Sequence, residues 1–595
     1  MKTVAFVGLL LAAATLPAAA QAPAKPQRNI IIFVADGLRY GSVTPQNMPN
    51  MYRLKTEGVD FTSSHSLFPT ITTVNASAIA TGHYIGDTGN FGNSVWTGMP
   101  MLTANGAPLA AFENDAVLAE MNQKFTGNYL NEESLNARAR ASGFNTAIVG
   151  KVGPTRIQDV TAAPDSSQTL ILDENAGHED GFGLPAWFTR EMKANFIGPM
   201  SPKTSLPDYE QEIWQMKAVN RIVLPHFAED GKPFALLFWS RDPDITQHNA
   251  TESVGEYTPG INGITAMAAT RHADSQLGAL LKTLKESGLD KTTDVFVTAD
   301  HGFLTVAHAS STSPSAHMDP NAPLSDLTNG FLAIDIASAL RMRLFDPLRN
   351  FNSVDYGGGA KLGGGSGMIG DPKDPDAVVV SNGGTDLVYL PKKNAKTLAG
   401  DIVSFLTTQD YVGAIFVNDK LGKFPGALSM SDVNLMGSAK TPQPSIMVSF
   451  RSFTQPCEDM QHPLQCTVGV HDTPLKTGQG SHGSLGRAET RNFMAAIGPD
   501  FKKGYVDPAP ISNADIAPTL AQLAGIKLLP KGRLTGRVIS EALEGGAEAK
   551  VTRRTIQSAP AENGLTTILN LQQVGENRYF DAAGFAGRVV GLTPP

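Results

Sequence analysis

Several apolar runs in this sequence lead into carboxylates and imidazoles, the side chains that bind divalent metals. Residues 30–35 (Ile-Ile-Ile-Phe-Val-Ala) lead directly to Asp36 and Gly37. Residues 234–239 lead through Ser240, Arg241, Asp242 and Pro243 to Asp244, with His248 four positions later. Residues 295–299 end at Asp300, His301 and Gly302, and far downstream His482 stands between Ser481 and Gly483. Asp36, Asp244, Asp300, His248, His301 and His482 together make a ligand set for two divalent ions such as zinc. Singly, each has an ordinary reading. An Asp-Gly after a strand makes a turn, and an Asp–His pair four apart merely shares one helical face. Their joint placement after apolar runs favours the metal reading.

A second group lies between Asp36 and the later ligands. Residues 68–82 read Phe-Pro-Thr-Ile-Thr-Thr-Val-Asn-Ala-Ser-Ala-Ile-Ala-Thr-Gly, which predicts a helix entered through the threonines and stopped at Gly82. A threonine at that start sits where free backbone N–H groups and the helix dipole favour an anion. Capping is the everyday role of such a residue. Beside a cation the same hydroxyl becomes an activated nucleophile.

The elements that must position these groups are set by the apolar pattern. Residues 30–35, 146–149, 234–239 and 295–298 read as buried strands, with helix-like stretches at 114–124, 209–227 and 267–286. Strands alternating with helices predict an α/β fold, a mostly parallel central sheet with helices on both faces. Ligands in such sheets bind beyond the carboxyl ends of the strands, where the Asp and His residues fall. After His301 the texture turns rich in Ser, Pro and Gly. Short strands are then expected at 378–381, 386–389, 413–417 and 444–450, with one helix at 395–407, which together describe a smaller α+β insertion. The core texture resumes at 492–497 and in a helix at 516–524. A polar stretch at 544–555 leads to a β-like tail, with a hairpin from 566–572 and 578–588. The expected organisation is therefore a first core part at 28–305, the insertion at 306–475, the rest of the core at 476–545 and the tail at 546–595.

Composition narrows the class. The chain has 595 residues, 41% of them hydrophobic and 17% charged, which excludes a disordered polymer or a coiled coil. A net charge of −8 leaves no broad basic face for coating nucleic acid. Lys2, an apolar run over residues 4–14 and the small residues around 17–22 describe a signal peptide at 1–22. That run is too short to span a bilayer. The expected location is periplasmic or secreted, and no later stretch reads as a membrane span. In an oxidising compartment Cys457 and Cys466, nine positions apart, are expected to form a local structural disulfide.

Taken together, these motifs resemble the alkaline phosphatase superfamily, and more closely its nucleotide pyrophosphatase/phosphodiesterase branch. That branch carries Pro-Thr-x-Thr-x-Pro-Asn with the second threonine as nucleophile. Here Pro69-Thr70-Ile71-Thr72-Thr73-Val74-Asn75 places Thr72 in that role, with Val74 where the branch has its second proline. The branch's phosphoryl-binding asparagine matches Asn93, in Gly89-Asn90-Phe91-Gly92-Asn93. Pro243-Asp244-Ile245-Thr246-Gln247-His248 is similar to the family's Pro-Asp-x-x-x-His. The resemblance implies an alkaline-phosphatase-like core in which Asp244, His248 and His482 hold one ion. Asp36, Asp300 and His301 hold the other, with Thr72 as its remaining ligand.

The activity that the resemblance implies is that of a two-metal hydrolase of small phosphate esters working through a phospho-threonine, with Asn93 and backbone N–H groups on the equatorial oxygens. The branch favours diesters and pyrophosphates. Lys151, after residues 146–149, pulls the other way, because related phosphatases and phosphonate hydrolases use a lysine there for the extra charge of a monoester. Lys151 as an ordinary solvated side chain is the competing reading. No Cys or Ser stands in the setting that supplies the sulfatase nucleophile. A metal-keeping binding protein without turnover is the reading from a different class.

Overall fold

The computed structural model describes residues 1, 3, 27–163, 169–177, 182–201, 209–317, 326–356, 361–457 and 462–593. The expected signal segment at 1–22 lies outside these, apart from residues 1 and 3. No helix among the described residues is long and apolar enough to cross a membrane.

Eight strands form the central sheet, numbered here within that sheet: β1 Asn29–Ala35, β2 Val59–His65, β3 Asn145–Gly150, β4 Thr169–Asp173, β5 Phe234–Ser240, β6 Thr293–Thr298, β7 Met494–Ile497 and β8 Tyr505–Ser512. Their spatial order is β8-β2-β7-β6-β1-β5-β3-β4. All pairings are parallel except those of β7, which runs against both β2 and β6. β1 is covered on both faces, as a continuous apolar run requires. Ile30, Ile32 and Val34 enter one core, while Ile31, Phe33 and Ala35 enter the other. Fully burying each such side chain is worth about 1.5–3 kcal/mol, which fixes the strand's register and so the position of Asp36 at its end.

The second core includes residues of the long helix Ile264–Glu286, whose Ala273, Leu277, Leu280 and Leu284 lie on one stripe. The first core receives the helix Thr72–Thr81, here α1, whose ten residues are all buried. It also receives one face of a second eight-stranded sheet, built from residues 344–450.

That second sheet is the α+β insertion. Alternate residues of its strands part between two cores: Val378, Val380, Leu387 and Met447 turn to the main core, while Val379, Val388, Ile446 and Val448 meet the helices Phe331–Leu340 and Ala395–Thr407. Most of its pairings are antiparallel. The tail forms a three-stranded antiparallel sheet of Val551–Gln557, Thr567–Val574 and Asn577–Phe585. Its first strand begins inside the stretch at 544–555 that reads from sequence only as polar. It is a mostly exposed strand, so it carries no apolar alternation. Cys457 and Cys466 form the expected disulfide.

Candidate active site

Four neighbouring strands deliver the predicted groups to one end of the sheet. Asp36 follows β1, Asp300 and His301 follow β6, and Lys151 follows β3. Asp244 opens the short helix Asp244–Asn249 after β5, and His248 is one turn further along the same face. The turn after Asp36 needs Gly37, which lies at φ +68° with Phe303 where a side chain would begin. The chain therefore reverses tightly and leaves the Asp36 carboxylate at the strand tip. His482 comes from the far end of the sequence, beside the short strand Gly480–Ser481.

These six side chains fall into two adjacent triplets. Asp36, Asp300 and His301 converge in one, and Asp244, His248 and His482 in the other, with potential ligand atoms within 4.8 Å of one another in each. The rings of His301 and His482 stack at 3.5 Å between centroids, joining the triplets.

Every histidine is aimed by the same device. Nδ1 of His248 donates to Gly480 O at 2.8 Å, that of His301 to Gly302 O at 2.9 Å, and that of His482 to Thr70 O at 2.9 Å. A carbonyl only accepts, so each Nδ1 carries a proton and each Nε2 is turned inward. Those Nε2 atoms lie 3.2 Å from Asp244 Oδ1 for His248, 3.4 Å from the same oxygen for His482, and 3.2 Å from Asp300 Oδ2 for His301.

The carboxylates are tethered by one oxygen and open at the other. Asp36 Oδ2 accepts from Trp239 Nε1 at 2.8 Å and Lys151 Nζ at 3.0 Å. Asp244 Oδ2 accepts from Lys151 at 3.1 Å, and Asp300 Oδ1 accepts from Gly37 N at 3.0 Å. Asp36 Oδ1, Asp244 Oδ1 and Asp300 Oδ2 are buried and have no hydrogen-bond partner among the described residues. Three orphaned carboxylate oxygens facing three imidazole nitrogens fit a pair of divalent cations.

A third triplet, His83, Asp87 and Glu132, offers the instructive contrast. Its oxygens are saturated by Ser438 and Leu534 on Asp87 and by Lys531 N and Gly532 N on Glu132. It is a hydrogen-bonded latch with no oxygen to spare.

Electrostatics follow from burial and proximity. Burial, then the carboxylates Asp244 and Asp300, push Asp36 well above the usual carboxylate range. Burial and then His301 drive His482 well below the usual imidazole value, which keeps it neutral. Burial also pulls on His248, but Asp244 outweighs it and the net shift is upward.

Thr72 is the first residue of α1, and its Oγ1 lies 3.2 Å from His301 Nε2. The next residue, Thr73, is gripped three ways by the loop carrying Asn93. Its N donates to Asn93 Oδ1 at 3.0 Å, its Oγ1 to Gly92 O at 3.1 Å, and its O accepts from Asn90 Nδ2. The amide of Asn93 is thus held by its oxygen end. Its NH2 end, partner-free among the described residues, remains the available donor.

Lys151 reaches the same place but is heavily engaged. Its ammonium lies 3.0 Å from Asp36, 3.1 Å from Asp244 and 3.1 Å from Glu113. Against burial, these anions hold its pKa well above the usual lysine value. Trp239 and Glu113 escaped the sequence reading. Trp239 ends an apolar run and looks like core, and Glu113 lies on a loop far from any motif. A cavity of about 1060 Å³ lined by Arg39, Asn262, Ile264, Met267 and Gln465 contains none of the site residues.

Fold and site together define the class, an α/β hydrolase of phosphoric ester bonds with two candidate metal-ligand clusters. The chain belongs to the type I phosphodiesterase/nucleotide pyrophosphatase family, whose sequence model matches residues 30–329. No curated protein matches it. Among solved structures, two of murine ectonucleotide pyrophosphatase/phosphodiesterase 5 are similar, at 13% identity and a TM-score of 0.49, covering 87% of this chain and 100% of that one. One of them is an inactive threonine-to-alanine form in complex with AMP.

Proposed function

We propose that this chain is an exported phosphodiesterase that uses two zinc ions and passes the phosphoryl group through Thr72. Asp244, His248 and His482 would hold one ion, and Asp36, Asp300, His301 and Thr72 the other; bound there, the pair supplies positive charge beside the phosphoryl oxygens and lowers the pKa of a neighbouring hydroxyl. The observation that carries the reading is the position of Thr72 Oγ1, 3.2 Å from the buried His301 Nε2, which itself lies 3.2 Å from the orphaned Asp300 Oδ2. Export is supported by the signal-like residues 1–22 and by the disulfide.

The chain's own groups divide the work. Thr72 Oγ1 gives up its proton to solvent and bonds to phosphorus while the bond from phosphorus to the substrate's leaving-group oxygen breaks on the opposite side. That oxygen takes up a proton and departs as an alcohol, leaving a phospho-threonine that still carries the diester's other substituent. Asn93 donates to an equatorial oxygen as charge develops there. The N-terminus of α1 adds its dipole beneath the same phosphoryl group. Water then attacks the phospho-threonine from the vacated side and restores the hydroxyl.

Lys151 bears on ester preference. A cation shared among three carboxylates has little charge left for the second negative charge of a monoester, so the site is read as one for diesters. The test compares bis(p-nitrophenyl) phosphate with p-nitrophenyl phosphate, each with and without chelator. A preference for the diester that chelation abolishes is expected. A preference for the monoester, or turnover indifferent to chelation, would overturn the reading.

A further inference from the structure

One short loop of the insertion contacts the segments that carry Asn93 and His482. Asn382, in the loop between the strands Asp374–Val380 and Thr385–Tyr389, makes a two-point contact with the backbone of Ser94. Ser94 N donates to Asn382 Oδ1 at 2.9 Å, and Asn382 Nδ2 donates to Ser94 O at 2.9 Å. Ser94 directly follows Asn93. On the other side the carboxamide lies against Gly92, where a Cβ would come within 2.5 Å of Asn382 Oδ1. Residue 92 is thus glycine because the amide occupies the space a side chain would take.

The loop bearing Asn382 is itself braced. Asn382 N donates to Asp386 Oδ1 at 3.1 Å, Gly384 N to His482 O at 3.1 Å, and Thr385 Oγ1 to Gly483 O at 2.7 Å. One short segment of the insertion therefore touches both the loop of the phosphoryl-binding asparagine and the backbone of a candidate metal ligand.

We propose that Asn382 is a positioning residue, fixing Asn93 so that its NH2 meets the phosphoryl oxygen. The inference rests on the role given to Asn93 above. Without the clamp, the segment 92–94 keeps its link to Thr73 and the hydrogen bond from Phe112 N to Asn93 O, but loses the contact that sets its position from outside the core. The insertion then helps to complete the catalytic apparatus.

The test is a double-mutant cycle on bis(p-nitrophenyl) phosphate with Asn93→Ala, Asn382→Ala and the pair, metal content being measured on each. Asn382→Ala is expected to lower kcat about tenfold or more with both ions retained, and to have almost no effect once Asn93 is Ala. Gly92→Ala, which displaces the same carboxamide without altering the insertion, should reproduce the loss if Asn382→Ala folds poorly. A loss from Asn382→Ala that persists in full in the Asn93→Ala background would overturn the proposal, as would a wild-type kcat in Asn382→Ala and Gly92→Ala. If Asn93→Ala is itself fully active, it is the reading of Asn93 that has failed, and the clamp has no catalytic role to serve.

Discussion

Replacing Asn93 probes the phosphoryl-binding side of the site without touching a candidate metal ligand. The wild-type amide is held through Oδ1 by Thr73 N at 3.0 Å, so its NH2 is preorganised and costs no reorientation during reaction. Removing one such donor costs about 2.7–4 kcal/mol, roughly 10²–10³ in kcat. Asn93 is only half-buried, which points to the lower end, about 100-fold for Asn93→Ala. Alanine also strips Thr73 N of its acceptor, so a second variant separates the two effects. Asn93→Asp keeps an acceptor for Thr73 N but sets an anion where the donor stood. It should therefore lose more activity than alanine while restoring the loop contact. The assay is kcat and KM on bis(p-nitrophenyl) phosphate, with metal content determined on the same samples. The reasoning is refuted if Asn93→Ala stays within about threefold of wild type or if the aspartate variant outperforms it.

Lys151→Met strands three carboxylates without their shared cation, and breaking a buried ion pair costs about 3–5 kcal/mol. Melting in chelator should drop and recover substantially with added zinc; an unchanged melting temperature in chelator contradicts this. His482→Ala and Asp300→Ala should each lower the bound metal from two ions per chain to one by elemental analysis, because they belong to different triplets; two ions retained in either variant would count against the ligand assignment. In the insertion, Asp386 and Asp472 are both buried, and burial together with the neighbouring Asp472 pushes Asp386 well above the usual carboxylate range. Burial pushes Asp472 up to about 7. The folded chain thus keeps a proton that the unfolded chain releases near pH ~4, and the associated stability is lost as pH rises through about 7. Asp386→Asn supplies that hydrogen permanently and should flatten the fall in melting temperature across this range; an unaltered slope would show that the pair does not share a proton.

Much of the architecture was legible because central strands must be apolar on both faces. Residues 30–35, 234–239 and 295–298 announce themselves this way, and the helix Ile516–Ala524 was readable to the residue. β2 was not, since Val59-Asp-Phe-Thr-Ser-Ser-His carries polar groups satisfied by partners off the strand, Lys55 and Tyr40 on Asp60 and Asp581 on His65. β8 hid behind Pro508 and Pro510, residues that a strand tolerates at the sheet edge it occupies. In the site, the six Asp and His and the helix start at Thr72 stand out in local context, because most follow a strand or open a helix and His248 lies one turn after Asp244. Their tethers could not. Trp239 on Asp36, Glu113 on Lys151 and Asn382 on Ser94 are contacts across 203, 38 and 288 positions, as separations in the chain (239 − 36, 151 − 113, 382 − 94), and no spacing rule encodes them.

Everything proposed for this enzyme converges on one hydroxyl, and covalent labelling examines it without intermediaries. Enzyme mixed rapidly with diester and quenched in acid would be digested and its peptides analysed by mass spectrometry. A phosphoryl adduct on Thr72, absent from Thr72→Ala and absent after chelation, is the predicted result. Undiminished turnover by Thr72→Ala, or an adduct carried by any other residue, would contradict it.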